Sequence, residues 1–155
     1  MASNLTKRIL VPYDDSKFSK KALNCALEIS DNKNSEIYLI SVVNVDFIKP
    51  PGSLLGMVSS SSINVIKQLA SKVKKETSEM LQKKVSECKS KGVSANYKVT
   101  SGNVSEEILK YVNQKKITLV VIGSEGLHGI SKLKALGSTS RKVSEFAKCP
   151  VMIVR

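Results

Sequence analysis

The sequence predicts an α/β domain built on a five-stranded parallel sheet with helices on both faces. Three observations carry that prediction. Short apolar runs alternate with amphipathic stretches along the whole chain, in the order β-α-β-α-β-α-β-α-β, which requires parallel strands joined by right-handed crossovers. Most of the runs are apolar almost throughout, as strands covered on both faces are. Finally, four of the eight glycines fall within the fifteen positions from Gly123 to Gly137, directly after one such run. Glycine loses backbone entropy on folding, so that clustering needs a turn or a close approach to justify it. At 155 residues the chain makes one domain, spanning residues 1–155, that can bury a continuous core without disulfides or metal.

The elements follow in order. Ile9-Leu10-Val11 centre a first strand over 8–12. Pro12, which cannot donate to a ladder, ends it, and Asp15 or Ser16 caps the helix behind it. That helix carries Phe18, Ala22, Cys25, Ala26 and Ile29 on its apolar stripe, with Lys17, Lys20 and Lys21 outside. A second strand covers 37–45. The connector over 46–62, with Pro50-Pro51-Gly52, Gly56 and four consecutive serines, is long for a compact domain, and loops of that length are lids or binding loops. It is expected near the site and mobile. From Ile63 to about Lys91, apolar residues recur at Ile66, Leu69, Ala70, Val73, Thr77, Met80, Leu81, Val85 and Cys88, a long amphipathic helix stopped by Gly92. Residues 95–100 alternate, as a more exposed strand does. Asn103 followed three positions later by Glu106 has capping-box spacing, and Ile108, Leu109 and Val112 should face inward. A fourth strand covers 117–122. A helix from Gly137 to about Ala147, with Val143 and Phe146 apolar, leads to the last strand at 151–154.

Composition excludes several classes. The net charge of +12, from 25 basic and 13 acidic residues, is spread through the helical stretches. With no Trp and 5% aromatics the chain has few platforms for stacking bases, so solvated helix faces account for the charge and nucleic acid is disfavoured as a partner. No apolar run is long enough to span a membrane, and Asp14 and Asp15 interrupt the apolar run near the N-terminus before it reaches signal-peptide length; a cytoplasmic location is expected. Cys25, Cys88 and Cys149 form no CxxC pair, and one histidine gives no zinc spacing, so buried thiols are expected.

The chemistry concentrates where the fourth strand breaks into Gly123-Ser124-Glu125-Gly126, followed by Gly129 and by Gly137-Ser138-Thr139 at a helix start. Strand, glycine-rich turn and helix N-terminus together hold phosphate on backbone N–H groups and the helix dipole. Gly123 and Gly126 are expected to permit close approach and positive φ. The pattern is neither a Walker motif nor a G-x-G-x-x-G fingerprint. In parallel sheets ligands sit at the carboxyl ends of strands by the topological switch point, where Asp14, Val42 and Gly123 would converge. Each candidate has a plainer reading beside it. Asp14 is a ligand contact or a helix cap, the glycines hold phosphate or make a turn, and Ser138 is phosphate ligand or N-cap. His128 reads as a solvated loop residue, and Lys132 and Lys134 as phosphate-steering or merely solvated charge. No nucleophile–base pair and no carboxylate pair in a metal context is recognisable, which leans away from an enzyme; slow hydrolysis by a positioned water is compatible with the same residues.

ILVPYDDSKFSKKAL near the start, GNVSEEIL in the middle and GSEG with GSTSRKVSEFAKCPVMIVR at the end together resemble the universal stress protein family, from Lys7 to Arg155. Its ATP-binding branch is marked by G-x2-G-x9-G-[ST]; here Gly123-x2-Gly126 is followed by ten residues before Gly137-Ser138, one more than the pattern. The resemblance implies a flavodoxin-like (adenine nucleotide alpha hydrolase-like) three-layer sandwich, and a homodimer paired through the last strand. It implies ATP, with Mg²⁺ riding in on the phosphates. Asp14, with Pro12 at the same strand end, would lie on the ribose or adenine side, Val42 would meet the adenine through its backbone, and Ile122 would lie beside the base. Gly123, Gly126, Gly137, Ser138 and Thr139 would hold the phosphates. The longer spacer bears on Leu127 to Leu136 and not on the anchoring ends, since one added loop residue is cheap. The function implied is a nucleotide-dependent regulatory switch in stress response whose state an unidentified protein partner reads. A slow ATPase and a nucleotide-free structural or chaperone-like dimer are the alternatives; the retained glycines and Gly137-Ser138 speak against the latter.

Overall fold

The computed structural model describes residues 6–31, 33–44, 59–126 and 136–155. Its elements run β1 (Lys7–Pro12), α1 (Lys17–Glu28), β2 (Ser35–Val43), α2 (Ser60–Ser90), β3 (Ser94–Ser101), α3 (Val104–Lys115), β4 (Leu119–Gly123), α4 (Ser138–Phe146) and β5 (Val151–Val154). All strand pairs are parallel and the sheet order is β3-β2-β1-β4-β5. The α/β sandwich expected from the alternating pattern is the fold observed.

The three central strands are buried as their nearly continuous apolar runs require. Ile9, Leu10 and Val11 in β1, Ile37 to Ile40 in β2, and Val120 to Ile122 in β4 are all buried, because successive side chains point to opposite faces and both faces are covered. On one face Ile9, Val11, Ile37, Leu39 and Val121 pack against Ala22, Leu23 and Ala26 of α1 and Leu81, Val85 and Cys88 of α2. On the other, Leu10, Ile40, Val120 and Ile122 pack against Ile108, Tyr111 and Val112 of α3 and Val143 of α4. The edges, β3 and β5, are more open.

Helix ends show why the chain turns where it does. Ser16 is the N-cap of α1, its Oγ accepting from Ser19 N at 3.1 Å, and Asn103 caps α3 by accepting from Glu106 N at 3.2 Å. The other half of the anticipated capping box is not used: the Glu106 carboxylate reaches Lys142 at 3.4 Å instead. At the end of α2, Gly92 has φ +80, Gly92 N donates to Lys89 O at 2.9 Å and Val93 N to Cys88 O at 3.1 Å. This paired closure needs a left-handed residue, which glycine supplies without strain.

Several expectations need correcting. The inward residues of α1 are Ser19, Ala22, Leu23 and Ala26; Phe18 is half-buried and Ile29 lies exposed, since the stripe is rotated by one residue. Phe146 is 63% exposed, because α4 presents only Ser140 and Val143 to the core. Helix α2 begins three residues before Ile63, with Ser59 as its N-cap. The rest of the 46–62 connector lies outside the described residues, as do His128, Gly129, Lys132 and Lys134. Of the cysteines, Cys88 is buried while Cys25 and Cys149 are half-buried; burial pushes the Cys88 and Cys149 thiols up, so neither is a thiolate at neutral pH. Among the described residues no helix is long and apolar enough to cross a membrane.

Candidate functional site

Strand order reverses between β1 and β4: from β1 the chain steps outward to β2 and β3, then returns to the far side of β1 for β4 and β5. The connections after β1 and β4 therefore leave on opposite faces and open a crevice at the carboxyl ends of the two strands. A cleft of about 560 Å³ occupies that position, a size suited to a small organic ligand. Pro12, Asp14, Val42, Ile122, Gly123, Gly126, Gly137, Ser138 and Thr139 all line it, so the nine residues singled out from sequence are brought to one place.

The β1 end is held by a strained turn. Asp15 has φ +64, a left-handed conformation that is unfavourable for a residue bearing a Cβ. Two contacts hold it there: Tyr13 Oη donates to Asp15 Oδ1 at 3.0 Å, and Lys20 Nζ lies 3.2 Å from the same oxygen. Tyr13 is itself buried; burial first, then its bond to Asp15, holds its hydroxyl protonated far above the usual tyrosine range. The turn aims Asp14 two ways. Its Oδ1 accepts from Ser16 N at 3.1 Å, bracing the start of α1, while its Oδ2 faces Gly126 so closely that a Cβ there would lie 2.9 Å away. Ser16 is the helix cap, and Asp14 braces the capped turn while lining the cleft.

Close approach, and not positive φ, is what the three glycines serve. None lies at positive φ; among the described glycines only Gly92 and Gly102 do. What each needs is the absence of a Cβ. At Gly123 a Cβ would lie 2.7 Å from Phe18 Cβ and 2.8 Å from Phe18 C, so this glycine lets α1 cross close over the end of β4. At Gly126 it would meet Asp14, and at Gly137 it would lie 3.0 Å from Ser124 O. That Ser124 carbonyl fastens the two ends of the glycine segment together: it accepts Gly137 N at 2.8 Å and Ser140 Oγ at 3.0 Å. The N-cap of α4 is Gly137 and not Ser138, and no side chain caps this end. Ser138 and Thr139 are its first two residues, and the first amides of a helix have no acceptor within it. The arrangement presents unspent donors and the positive end of a helix dipole to the cleft.

A largely apolar wall of the cleft is formed by Ile40, Val42 and Ile122 from the sheet, Val104 and Ile108 from α3, and Val73, Thr77 and Met80 from α2, with Ser41, Asn44 and Glu125 as polar lining beside it. Sequence reasoning assigned Val73 and Met80 to core stripe and passed over Tyr13, Ile40 and Glu125. The period of two along β2 places Ile40 beside Val42; Glu125 carried no local signal. Among the described residues no group of three or more His, Cys, Asp or Glu is placed to hold a metal ion. An apolar wall that meets a donor-rich helix start is chemically fitted to a flat ring carrying an anionic tail.

The family model of the universal stress protein family matches residues 6–155. The universal stress protein YxiE of Bacillus subtilis is 33% identical over 148 residues, covering 96% of this chain and 98% of that one. Among solved structures, MJ0577 of Methanocaldococcus jannaschii superposes with a TM-score of 0.82 at 23% identity, over 97% of this chain and 96% of the other. The universal stress protein of Archaeoglobus fulgidus in complex with dAMP gives 0.62 at 20% identity, over 96% and 98%.

Proposed function

This chain belongs to the universal stress protein family, and from that premise we propose that it is a cytoplasmic regulatory module that binds ATP in the β1–β4 cleft and acts as a nucleotide-dependent switch. One observation carries the reading: an apolar wall of Ile40, Val42 and Ile122 runs directly to the uncapped N-terminus of α4. In this reading the adenine lies on that wall against the backbone of Val42, Asp14 with Pro12 lies on the ribose side, and the amides around Gly126 and Gly137 to Thr139 take the phosphates. Any Mg²⁺ arrives on the nucleotide and is held mostly by phosphate oxygens and water. The dAMP bound by the Archaeoglobus fulgidus protein supports an adenine nucleotide as the ligand class.

The reading extends to assembly. β5 is an edge strand that carries Met152 (38% exposed), and Phe146 (63% exposed) ends the helix that leads to it. An apolar edge of this kind invites pairing, and we assign it to a two-fold dimer.

Native mass spectrometry of the freshly purified protein, followed by calorimetric titration with AMP, ADP and ATP, tests the ligand. Bound or titratable adenine nucleotide is the expected result; protein that is folded, nucleotide-free and silent to all three overturns it. Sustained multiple-turnover phosphate release would instead make the chain a slow ATPase.

A further inference from the structure

Helix α2 has 31 residues, so it is about 46 Å long, yet its buried residues, Leu81, Val85 and Cys88, all lie in the last third. The first half carries apolar side chains that stay exposed: Ile63 is 38% exposed, Val65 53%, Leu69 48% and Val73 37%, of which Ile63, Leu69 and Val73 share one face of about 120° and Val65 stands beside it. Four of the eight large hydrophobics exposed among the described residues stand on this one stretch, and such concentration marks an interaction surface. Residues 60–75 contain four lysines and no acidic residue. Lys67 follows Ile66, and Lys72 and Lys74 stand on either side of Val73, each about 100° around the helix from that neighbour; Lys72 also lies 4.0 Å from Glu76 in an exposed pair that a partner's carboxylate can share.

We propose that this half of α2 docks an acidic amphipathic helix of a partner protein, its apolar face on Ile63, Leu69 and Val73 and its carboxylates on Lys67, Lys72 and Lys74. Charge selects that occupant. A second copy would set lysine against lysine across residues 60–75, because the nearest acid, Glu76, already lies 4.0 Å from Lys72 of its own helix. Helix α2 has no aromatic residue, so it offers neither an anchor for a lipid interface nor a platform for stacked bases. The chain's charge of +12 would steer an acidic partner toward encounter. The surface also adjoins the cleft: the same seam continues through Val73, Thr77 and Met80, which line it. A partner seated on Val73 therefore touches a wall residue of the ligand site, which gives the partner a route to sense occupancy. That coupling rests on the nucleotide reading; the docking itself does not.

The test uses the full chain and a fluorescein-labelled designed helix with leucines at i, i+3, i+4 and i+7 and glutamates on both flanks, read by anisotropy. A scrambled peptide of the same composition, phosphatidylserine vesicles and duplex DNA are the other arms. The designed helix should bind, and Leu69→Gln and the pair Lys72→Glu/Lys74→Glu should each weaken it at least tenfold with circular dichroism unchanged. Failure of the designed helix to bind overturns the proposal, as does equal binding of the scrambled peptide. So does insensitivity to Leu69→Gln, or a Leu69-dependent interaction with vesicles or DNA in place of the peptide. Repeating the titration with saturating ATP reads the coupling separately: a change in peptide affinity supports it. An unchanged affinity in protein that binds ATP overturns the coupling and leaves the docking intact.

Discussion

Gly126→Ala separates a site glycine from a folding glycine. The added Cβ would lie 2.9 Å from Asp14 Oδ2, closer than carbon and oxygen tolerate, and the carboxylate is the group that can move. Rotating it gives up the 3.1 Å bond that Asp14 Oδ1 accepts from Ser16 N, roughly 0.5–1.5 kcal/mol net, and holds the side chain off its rotamer at roughly 0.5–1.5 kcal/mol more. If nucleotide binding requires Asp14 in its present place, the loss of about 1–3 kcal/mol corresponds to a roughly 5- to 150-fold weaker Kd. The lost bond and strained rotamer weaken the unliganded fold as well, so the melting temperature should fall by some degrees alongside the affinity. Calorimetric titration of ATP beside a thermal melt reads both quantities, and Gly126→Val should go further in the same direction. Affinity within twofold of the parent, in a variant that remains folded, would refute the placement of Asp14 and Gly126 in the ligand site.

For Gly123→Ala the obstacle is instead Phe18 backbone at 2.8 and 3.0 Å, which cannot rotate aside, so about 1–3 kcal/mol of stability should go, and an unchanged melting curve would show that α1 is not seated there. At Asp15, φ +64 should invert the usual preference for alanine over glycine. Asp15→Ala keeps the strain while losing Tyr13 and Lys20, so it should be less stable than Asp15→Gly by about 1–2 kcal/mol, and equal urea midpoints would contradict this. Burial first, and then the 2.6 Å bond to Glu36, push the Tyr38 hydroxyl up to about 12. A raised folded-state value means stability that is intact below about pH 10, the unfolded value, and lost as pH rises toward 12; Tyr38→Phe should flatten that decline in denaturant titrations, and an unaltered slope would remove Tyr38 as its source. For the dimer, Met152→Lys should shift the protein to monomer in light scattering, whereas an undiminished dimer would move the interface away from β5.

What was legible in the sequence was whatever depends on local period or on one residue's backbone chemistry. Ile9-Leu10-Val11 and Val120-Val121-Ile122 announced doubly covered strands, and Asn103 with Glu106 marked a helix start to the residue. Convergence of Asp14, Val42 and Gly123 followed from the parallel sheet alone, because all three end strands at the same edge. The rest depended on contacts distant in sequence. Whether Phe18 or Ser19 faces inward is decided by how closely α1 crosses Gly123, a contact made 105 positions away in the chain. Ser124 as the clasp between β4 and α4, and Tyr13 as the brace of Asp15, are hydrogen bonds that no spacing rule proposes. On α2, a stripe that is apolar at the correct period turned out to serve three purposes in succession: open surface at Leu69, cleft wall at Val73 and Met80, core at Leu81 and Val85. Period reveals that a face exists and is silent on what it faces.

The glycine pattern illustrates the same division at the site itself. Read as conformational freedom, Gly123 and Gly126 would be places where the chain needs positive φ; neither is, and nor is Gly137. They mark three close approaches of backbone to something else: to α1, to the Asp14 carboxylate, and to the Ser124 carbonyl. Two of these belong to folding, since α1 must seat on β4 and α4 must start beside its end. Only the approach at Gly126 faces the cleft. In the proposed site an anion would be held less by the glycines than by what they permit, an α4 N-terminus with no side-chain cap brought against the switch point of the sheet. This also explains why a spacer one residue longer than the family pattern is tolerable. Gly137 N and Ser140 Oγ both close on Ser124 O, so the position of the helix start is set by β4 directly and not by the length of chain that leads to it.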